Sequence, residues 1–186
     1  MSDATTAFLK TLPAFRGIGD TEILAVARCC ETLQYGPSQV IFEMGAHADG
    51  AYIVREGLIR VELPLPDGSQ RVVAQLGPGT MVGELCLIED APRSLRVRAG
   101  KPSSMLRLDI VKFAELRSKG HSGAYKLIRA ITLTVCDRLR NTNSQIENRW
   151  KGITESSTEI QVASKTPQPL PASSAWDRLR GLFGRT

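Results

Sequence analysis

Residues 83–97, Gly83-Glu84-Leu85-Cys86-Leu87-Ile88-Glu89-Asp90-Ala91-Pro92-Arg93-Ser94-Leu95-Arg96-Val97, decide how this chain is read. The apolar members suit a short turn packed on a core. A glycine and a glutamate open the stretch and a Pro-Arg-Ser triplet closes it, and a core turn needs neither. A helix N-terminus points unpaired N–H groups outward and carries partial positive charge. Gly83, with no side chain, lets a ligand approach the backbone. The N–H groups of Leu85 and Cys86 can then meet a phosphate. Arg93 adds a fixed cation with paired donors matched to phosphate oxygens. Pro92 stiffens the turn before it, and Ser94 offers a hydroxyl. Glu84 is wrong beside a phosphate alone but right beside a hydroxyl, because a carboxylate accepts strongly from O–H. A phosphate with a neighbouring hydroxyl describes a ribose phosphate. The competing reading pairs Glu84 with Arg93 at the surface, an arrangement worth about 0–1 kcal/mol. It explains each residue singly and not the set.

Outward from this stretch, the pattern on both sides is one of short strands. VIFEMG, AYIVREG, LIRVEL, RVVAQL, MVGEL, SLRVRA and SMLRLDI, between Val40 and Ile110, are rich in β-branched residues and separated by glycine or proline. Pro66-Asp67-Gly68 between LIRVEL and RVVAQL is a hairpin signal. Strands this short and regular predict a mainly β fold with flanking helices: a β-roll or double-stranded jelly roll. Residues 83–97 would interrupt it with one helical turn.

Helices are expected at both ends. Residues 5–18 read as a short helix and a turn. Asp20 is placed to cap a second helix through TEILAVARCCETL, with Ile23, Ala27, Cys30 and Leu33 on one face. Asp109 caps a short helix over VKFAELRSK. A long helix follows from about Ser122 to Trp150, with Ala124, Ile128, Ile131, Val135, Leu139, Thr142 and Ile146 at steps of three and four. Residues 1–150 therefore form one domain. Residues 151–173 are polar and proline-rich and read as a disordered linker. Residues 174–186 regain a helical pattern, with Trp176, Leu179 and Phe183 on one face, fit to dock on a protein or a membrane surface.

Composition narrows the function. The chain has 186 residues and a formal charge of +5, a basic bias that permits an anionic ligand without demanding nucleic acid. The cysteines Cys29, Cys30, Cys86 and Cys136 lack zinc-ligand spacing and read as free thiols of a reducing cytoplasm. The N-terminus does not read as a signal peptide. A metal-dependent jelly-roll enzyme would need clustered histidines, and His47 and His121 lie far apart. No nucleophile–base pair stands out, so no catalytic residue is assigned and an enzyme is not expected.

Gly83-Glu84-Leu85, then Leu87, Pro92-Arg93-Ser94 and Val97 resembles the phosphate-binding cassette of cyclic nucleotide-binding domains. Phe42, Gly45, Tyr52-Ile53-Val54, Gly57 and Leu76-Gly77-Pro78-Gly79 fall where that family has the glycines and core strands of its β-roll. The resemblance covers roughly residues 8–148. It implies that Glu84 binds the ribose 2′-hydroxyl and Arg93 the cyclic phosphate. Gly83, Leu85 and Cys86 would supply backbone N–H groups, and Ser94 would stand beside the arginine. It implies that the long helix caps the base at Thr142 and Asn143 and forms a homodimer seam; a hydroxyl bonded to its own helix is the other reading of Thr142. The implied ligand is cAMP, with cGMP second. A threonine after the arginine favours cGMP in this family, and Ser94 is chemically close to one. Leu95, Val82 and Cys86 depart from the family's usual residues, Leu95 where a small residue is common, which tightens the pocket floor.

Bacterial regulators of the family place a helix-turn-helix after the long helix. The polar residues that follow here hold no such pair, so DNA is not an expected partner. Arg129, Arg138, Arg140 and Arg149 read as a solvated helix face. The expected function is a cytoplasmic receptor that signals to a protein partner, the tail being one route to it. The alternative is a β-roll interaction module whose pocket no longer takes nucleotide.

Overall fold

The computed structural model describes residues 2–156, and residues 157–186, with most of the expected linker and all of the expected tail, lie outside the described residues. The chain divides into two units, residues 1–141 and 142–186. The described part of the second unit is the end of the long helix.

The first unit opens with α1 (Ser2–Lys10), a 3-10 turn at Pro13–Phe15 and α2 (Asp20–Ala27). Eight strands follow: β1 (Cys30–Tyr35), β2 (Val40–Phe42), β3 (Gly50–Glu56), β4 (Ile59–Pro64), β5 (Gln70–Leu76), β6 (Met81–Val82), β7 (Arg96–Ala99) and β8 (Ser103–Asp109). A 3-10 turn over Glu84–Leu87 separates β6 from β7, and α3 (Ile110–Ser118) and α4 (Ser122–Ser156) complete the fold. The strands form two four-stranded sheets, ordered β1-β8-β3-β6 and β2-β7-β4-β5. Every pairing is antiparallel. This is the β-roll expected of the sequence.

Two cores explain the pattern of the strands. Tyr52, Val54, Ile59, Val82, Val97 and Met105 form one. Ala51, Ile53, Leu106 and Leu108 point the other way, into a second core with α1 to α4. Alternate residues of β3 thus serve different cores, which is why AYIV is unbroken by polar residues. Ile53 is fully buried, a burial worth about 1.5–3 kcal/mol. The hairpin at Pro66-Asp67-Gly68 closes with Leu65 N donating to Ser69 O at 2.9 Å, and Asp67 accepting from Ser69 N at 2.9 Å.

Two helical expectations are corrected. The helix expected through Leu33 stops at Ala27, and Cys30–Tyr35 instead becomes β1, paired along its length with β8 from Cys30↔Leu108 to Tyr35↔Ser103. Asp20 is not the cap: Gly19 holds that position, and Glu22 accepts from Gly19 N at 2.8 Å. Asp109 does cap α3, accepting from Val111 N and Lys112 N at 3.0 Å each. In α4, Ala124, Leu127 and Ile131 are buried in the core, whereas Leu139 and Ile146 are exposed. The helix continues to Ser156.

Candidate functional site

Arg93 is the best-held side chain of residues 83–97. Its backbone is pinned to the loop before β3, with Arg93 N donating to Ala46 O at 3.0 Å and Gly45 N donating to Arg93 O at 2.7 Å. Its side chain is 3% exposed. Nη1 donates to Gly83 O at 3.0 Å; Nη2 donates to Gly50 O at 2.6 Å and pairs with Asp49 Oδ1 at 2.9 Å. The ring of Phe42 lies 4.2 Å from the guanidinium carbon and that of Tyr52 at 5.7 Å. Nε is buried and makes no hydrogen bond to the described residues. A buried donor left without an acceptor costs about 1–3 kcal/mol.

Asp49 organises this corner. Oδ2 accepts from Tyr52 Oη at 2.8 Å and from Arg107 Nη1 at 2.7 Å, while Oδ1 holds Arg93. Burial pushes the Asp49 carboxyl up, but the bonds from Tyr52 and Arg107 outweigh it and hold it below its ordinary value. Burial, with the bond to Asp49, raises the Tyr52 phenol well above its ordinary range. Asp49 therefore stays ionised and Tyr52 neutral at physiological pH, and the Asp49 carboxylate holds the Arg93 side chain in place.

Gly83 is set by the same arginine. It has φ +66°, in the left-handed region that disfavours side chains, and a Cβ there would collide with Arg93 Nη1 and lie 3.3 Å from the ring of Phe42. The glycine thus gives room to Arg93, not only to a ligand. Glu84 follows at the head of the 3-10 turn and is 8% exposed. Leu87, 2% exposed, anchors the end of that turn in the core, and its carbonyl accepts from Arg117 Nη1 at 3.4 Å.

Gly83, Glu84, Leu85, Cys86, Arg93 and Ser94 all line one cavity of about 550 Å³. The rest of its wall is largely apolar, including Phe42, Val61, Val97 and Leu95. The volume falls within the range of small-molecule sites, roughly 300–1,000 Å³. Leu95 lines the cavity and does not close it. Glu84 and Arg93 are not paired with each other: Glu84 Oε1 accepts from Arg138 Nη1 of α4 at 2.7 Å. Arg138 also lines the cavity, so it is not merely part of a solvated face. The thiol of Cys86 lies 3.9 Å from Arg93 Nη1, and burial pushes its pKa up, against the pull of Arg93. Thr142 and Asn143, the expected base caps, lie on α4 in the second unit, and both are exposed.

Asp49 and Arg138 were not legible as site residues. Asp49 is 44 residues from Arg93 in sequence and Arg138 is 54 from Glu84. Neither sits in a motif. Among the described residues no cluster of His, Cys, Asp and Glu could hold a metal, and no helix is long and apolar enough to cross a membrane.

Residues 32–119 match the sequence profile of the cyclic nucleotide-binding domain. The matched segment holds the whole of residues 83–97 and resembles a cyclic nucleotide-binding domain. Among curated proteins, it is 30% identical over 109 residues to the potassium channel GORK of Arabidopsis thaliana, a match covering 59% of this chain and 13% of the channel. The catabolite activator protein of Thermus thermophilus is 25% identical, with a TM-score of 0.62 over 73% of this chain and 62% of that one. The regulatory domain of Toxoplasma gondii PKA, crystallised with cAMP, is also 25% identical, with a TM-score of 0.61 over 70% of this chain and 49% of that one. The chain thus spans less than two thirds of each of these relatives. The family's role is nucleotide binding in regulation; glutaminase 2 of Bradyrhizobium diazoefficiens, 29% identical over 126 residues, is an enzyme matched over 19% of its length.

Proposed function

We propose that this protein is a cytoplasmic receptor for a cyclic nucleotide, cAMP before cGMP, which changes conformation on binding and signals to a protein partner. The observation that carries this reading is the pair of buried, oppositely charged residues, Arg93 and Glu84, in the wall of one largely apolar cavity. Arg93 takes the cyclic phosphate, and its unmatched Nε is a further donor for an oxyanion. Glu84 takes the ribose 2′-hydroxyl. Gly83, Leu85 and Cys86 present backbone N–H groups, and Ser94 adds a hydroxyl at the rim. Thr142 and Asn143 cap the base as α4 closes on it, and the exposed apolar residues of α4 form a homodimer seam. The Toxoplasma gondii domain, crystallised with cAMP, supports the choice of nucleotide by analogy.

Calorimetry with cAMP, cGMP and a cyclic dinucleotide tests the assignment, repeated with Arg93→Ala. cAMP should bind the native protein most tightly, and the variant at least a hundredfold more weakly, as expected when a buried charged pair partner is lost. Equal binding by both proteins would remove Arg93 from the site.

One observation favours a second reading, an interaction module without nucleotide. Arg93 is bonded to Asp49, Gly50 and Gly83, and Glu84 to Arg138, so both anchors already have protein partners. That module would show no thermal shift in millimolar cAMP or cGMP. The protein partner is sought by pull-down with and without residues 173–186, and with and without cAMP.

A further inference from the structure

The outer face of the second sheet carries arginines in register. Along β4 and β7, Ile59, Val97 and Ala99 are buried, and the residues that alternate with them, Arg60, Arg96 and Arg98, face the other way. Arg60 stands directly opposite Arg98, and Glu62 opposite Arg96. Like charges directly opposite destabilise a sheet. Glu62, 4% exposed, lies among the arginines, with Oε2 3.6 Å from Arg98 Nε and 3.9 Å from Arg96 Nε. Arg96 Nε is also 3.2 Å from Glu43 Oε2. None of these contacts has hydrogen-bond geometry: Glu62 Oε2, Arg96 Nε and Arg98 Nε are buried and unmatched among the described residues. Arg60 joins none of these pairs. Its side chain lies across Gly100, where an added Cβ would stand 3.3 Å from Arg60 Cγ and Nε.

We infer that Arg60, Arg96 and Arg98 form a docking face for an acidic, extended segment of a partner protein. Three guanidinium groups here share two carboxylates and bond fully to neither, so the face costs stability by itself and keeps donors in reserve. A guanidinium pairs best with a carboxylate that it can grip with two N–H groups. Neighbouring strands lie about 4.7–4.9 Å apart and alternate residues of one strand about 6.4–6.8 Å apart. The arginine positions therefore match carboxylates on alternate residues of an extended peptide. Val72, opposite Glu62 and 43% exposed, borders the charges and offers apolar contact to such a peptide. Three cations over two strands are few for nucleic acid, whose binding rests on many phosphate contacts. The docking face stands apart from the nucleotide site and serves a receptor and an interaction module alike. It is also the reverse of the ligand wall, since Val61 and Val97, between these arginines along the same strands, line the cavity.

The test uses a short fluorescein-labelled peptide alternating glutamate and threonine, its glutamine counterpart, a single-stranded DNA and phosphatidylserine vesicles. Binding is read at low salt by anisotropy, or by cosedimentation for the vesicles, for the native chain, Arg60→Gln, Arg98→Gln and Arg28→Gln. The last removes the same charge from an exposed position after α2. The native protein should bind the acidic peptide at least tenfold more tightly than the glutamine peptide. Arg60→Gln and Arg98→Gln should each weaken it about tenfold, the scale of one bond to a charged group, and Arg28→Gln should weaken it little. Arg60→Gln should also melt no lower than the native protein, because it removes half of a like-charge pair. No binding of the acidic peptide, or an equal loss from Arg28→Gln, overturns the docking face. A much lower melting temperature for Arg60→Gln overturns it too, since the arginine then serves the fold. Tighter binding of DNA or vesicles through the same arginines overturns it in favour of a polyanion. Titration of the same preparations with cAMP separates the two readings: cAMP binding without peptide binding leaves a receptor and no docking face, and peptide binding without cAMP binding leaves the docking face on an interaction module.

Discussion

A methyl group added at Gly83 would meet Arg93 Nη1 and crowd the ring of Phe42. It would also sit on a left-handed backbone, at a cost of about 1–2 kcal/mol for most residues. Gly83→Ala is therefore expected to lower the melting temperature by several degrees and, separately, to push Arg93 off Gly83 O and Asp49. The second effect should weaken cAMP binding about tenfold or more, the value of one to two bonds to a charged group. Asp49→Asn tests the same cradle from the other side: it keeps the size of the residue but removes the charge that holds Arg93, and it should weaken binding with less loss of stability than Gly83→Ala. Calorimetry beside thermal unfolding checks both; unchanged affinity in either variant would mean that Arg93 is held by its remaining contacts alone. Residue identity was legible here for a physical reason. Gly83, Glu84, Arg93 and Ser94 belong to one local stretch whose members make chemical sense together. The reason for the glycine was not, because the group that needs its space is a side chain ten residues on, folded back.

At the scale of elements, the sheet was readable and its first strand was not. Ile23, Ala27, Cys30 and Leu33 have helical spacing, yet Cys30–Tyr35 pairs with β8 more than sixty residues away. Pairing at such distance overrides local periodicity, and no turn residue marks the change after Ala27. Helix ends were misplaced for a similar reason. Asp20 has the right chemistry for a cap, but Glu22 does the capping of Gly19 N and also accepts from Ser122 Oγ and from Lys126 Nζ, the latter at 2.7 Å. One carboxylate thus ties the start of α2 to the start of α4. The bonds from Lys126, Ser122 and Gly19 bring the Glu22 carboxyl from its ordinary 4.5 down to about 2. A carboxyl with a lowered folded-state pKa stabilises the fold at pH values above its ordinary value and loses that contribution as pH falls through the lowered one. The Glu22 contribution should be whole above about pH 4.5 and should fade towards pH 2. Glu22→Gln is expected to melt lower at pH 7 and to flatten the fall of melting temperature between those values. A series of melts by circular dichroism measures this, and parallel curves for the two proteins would refute the coupling.

The whole molecule turns on what α4 does beyond the β-roll. Its first turns are committed: Ala124, Leu127 and Ile131 are buried in the core of the first unit. Further along, Leu139 is 60% exposed and Ile146 48%. The step of seven between them matches the heptad spacing of a two-helix seam. Large apolar side chains in water are ordinary singly, but two a heptad apart on one helix can make a surface to be covered. The proposed homodimer covers them with the same stripe of a second copy. In an isologous pairing each substitution removes the residue from both protomers. Each buried Leu or Ile contributes about 1.5–3 kcal/mol, so Leu139→Glu or Ile146→Glu should raise the dimer dissociation constant about a hundredfold or more. Sedimentation equilibrium across a range of protein concentrations reads this directly. Melting temperature at low concentration should barely move, since neither side chain belongs to the core. A native protein that sediments as a monomer, or variants that dimerise as strongly as it does, would turn the stripe over to another partner. If the dimer holds, Arg138 sits one residue before Leu139 in sequence, so the same turn of helix carries both the contact to Glu84 and a residue of the seam. Ligand binding and dimer stability should then be linked, and linkage is reciprocal: saturating cAMP should shift the dimer constant by the same factor that dimerisation shifts cAMP affinity. Measuring both factors on one preparation tests the coupling, and a dimer constant that cAMP leaves unmoved would place the seam and the ribose contact on independent parts of the helix.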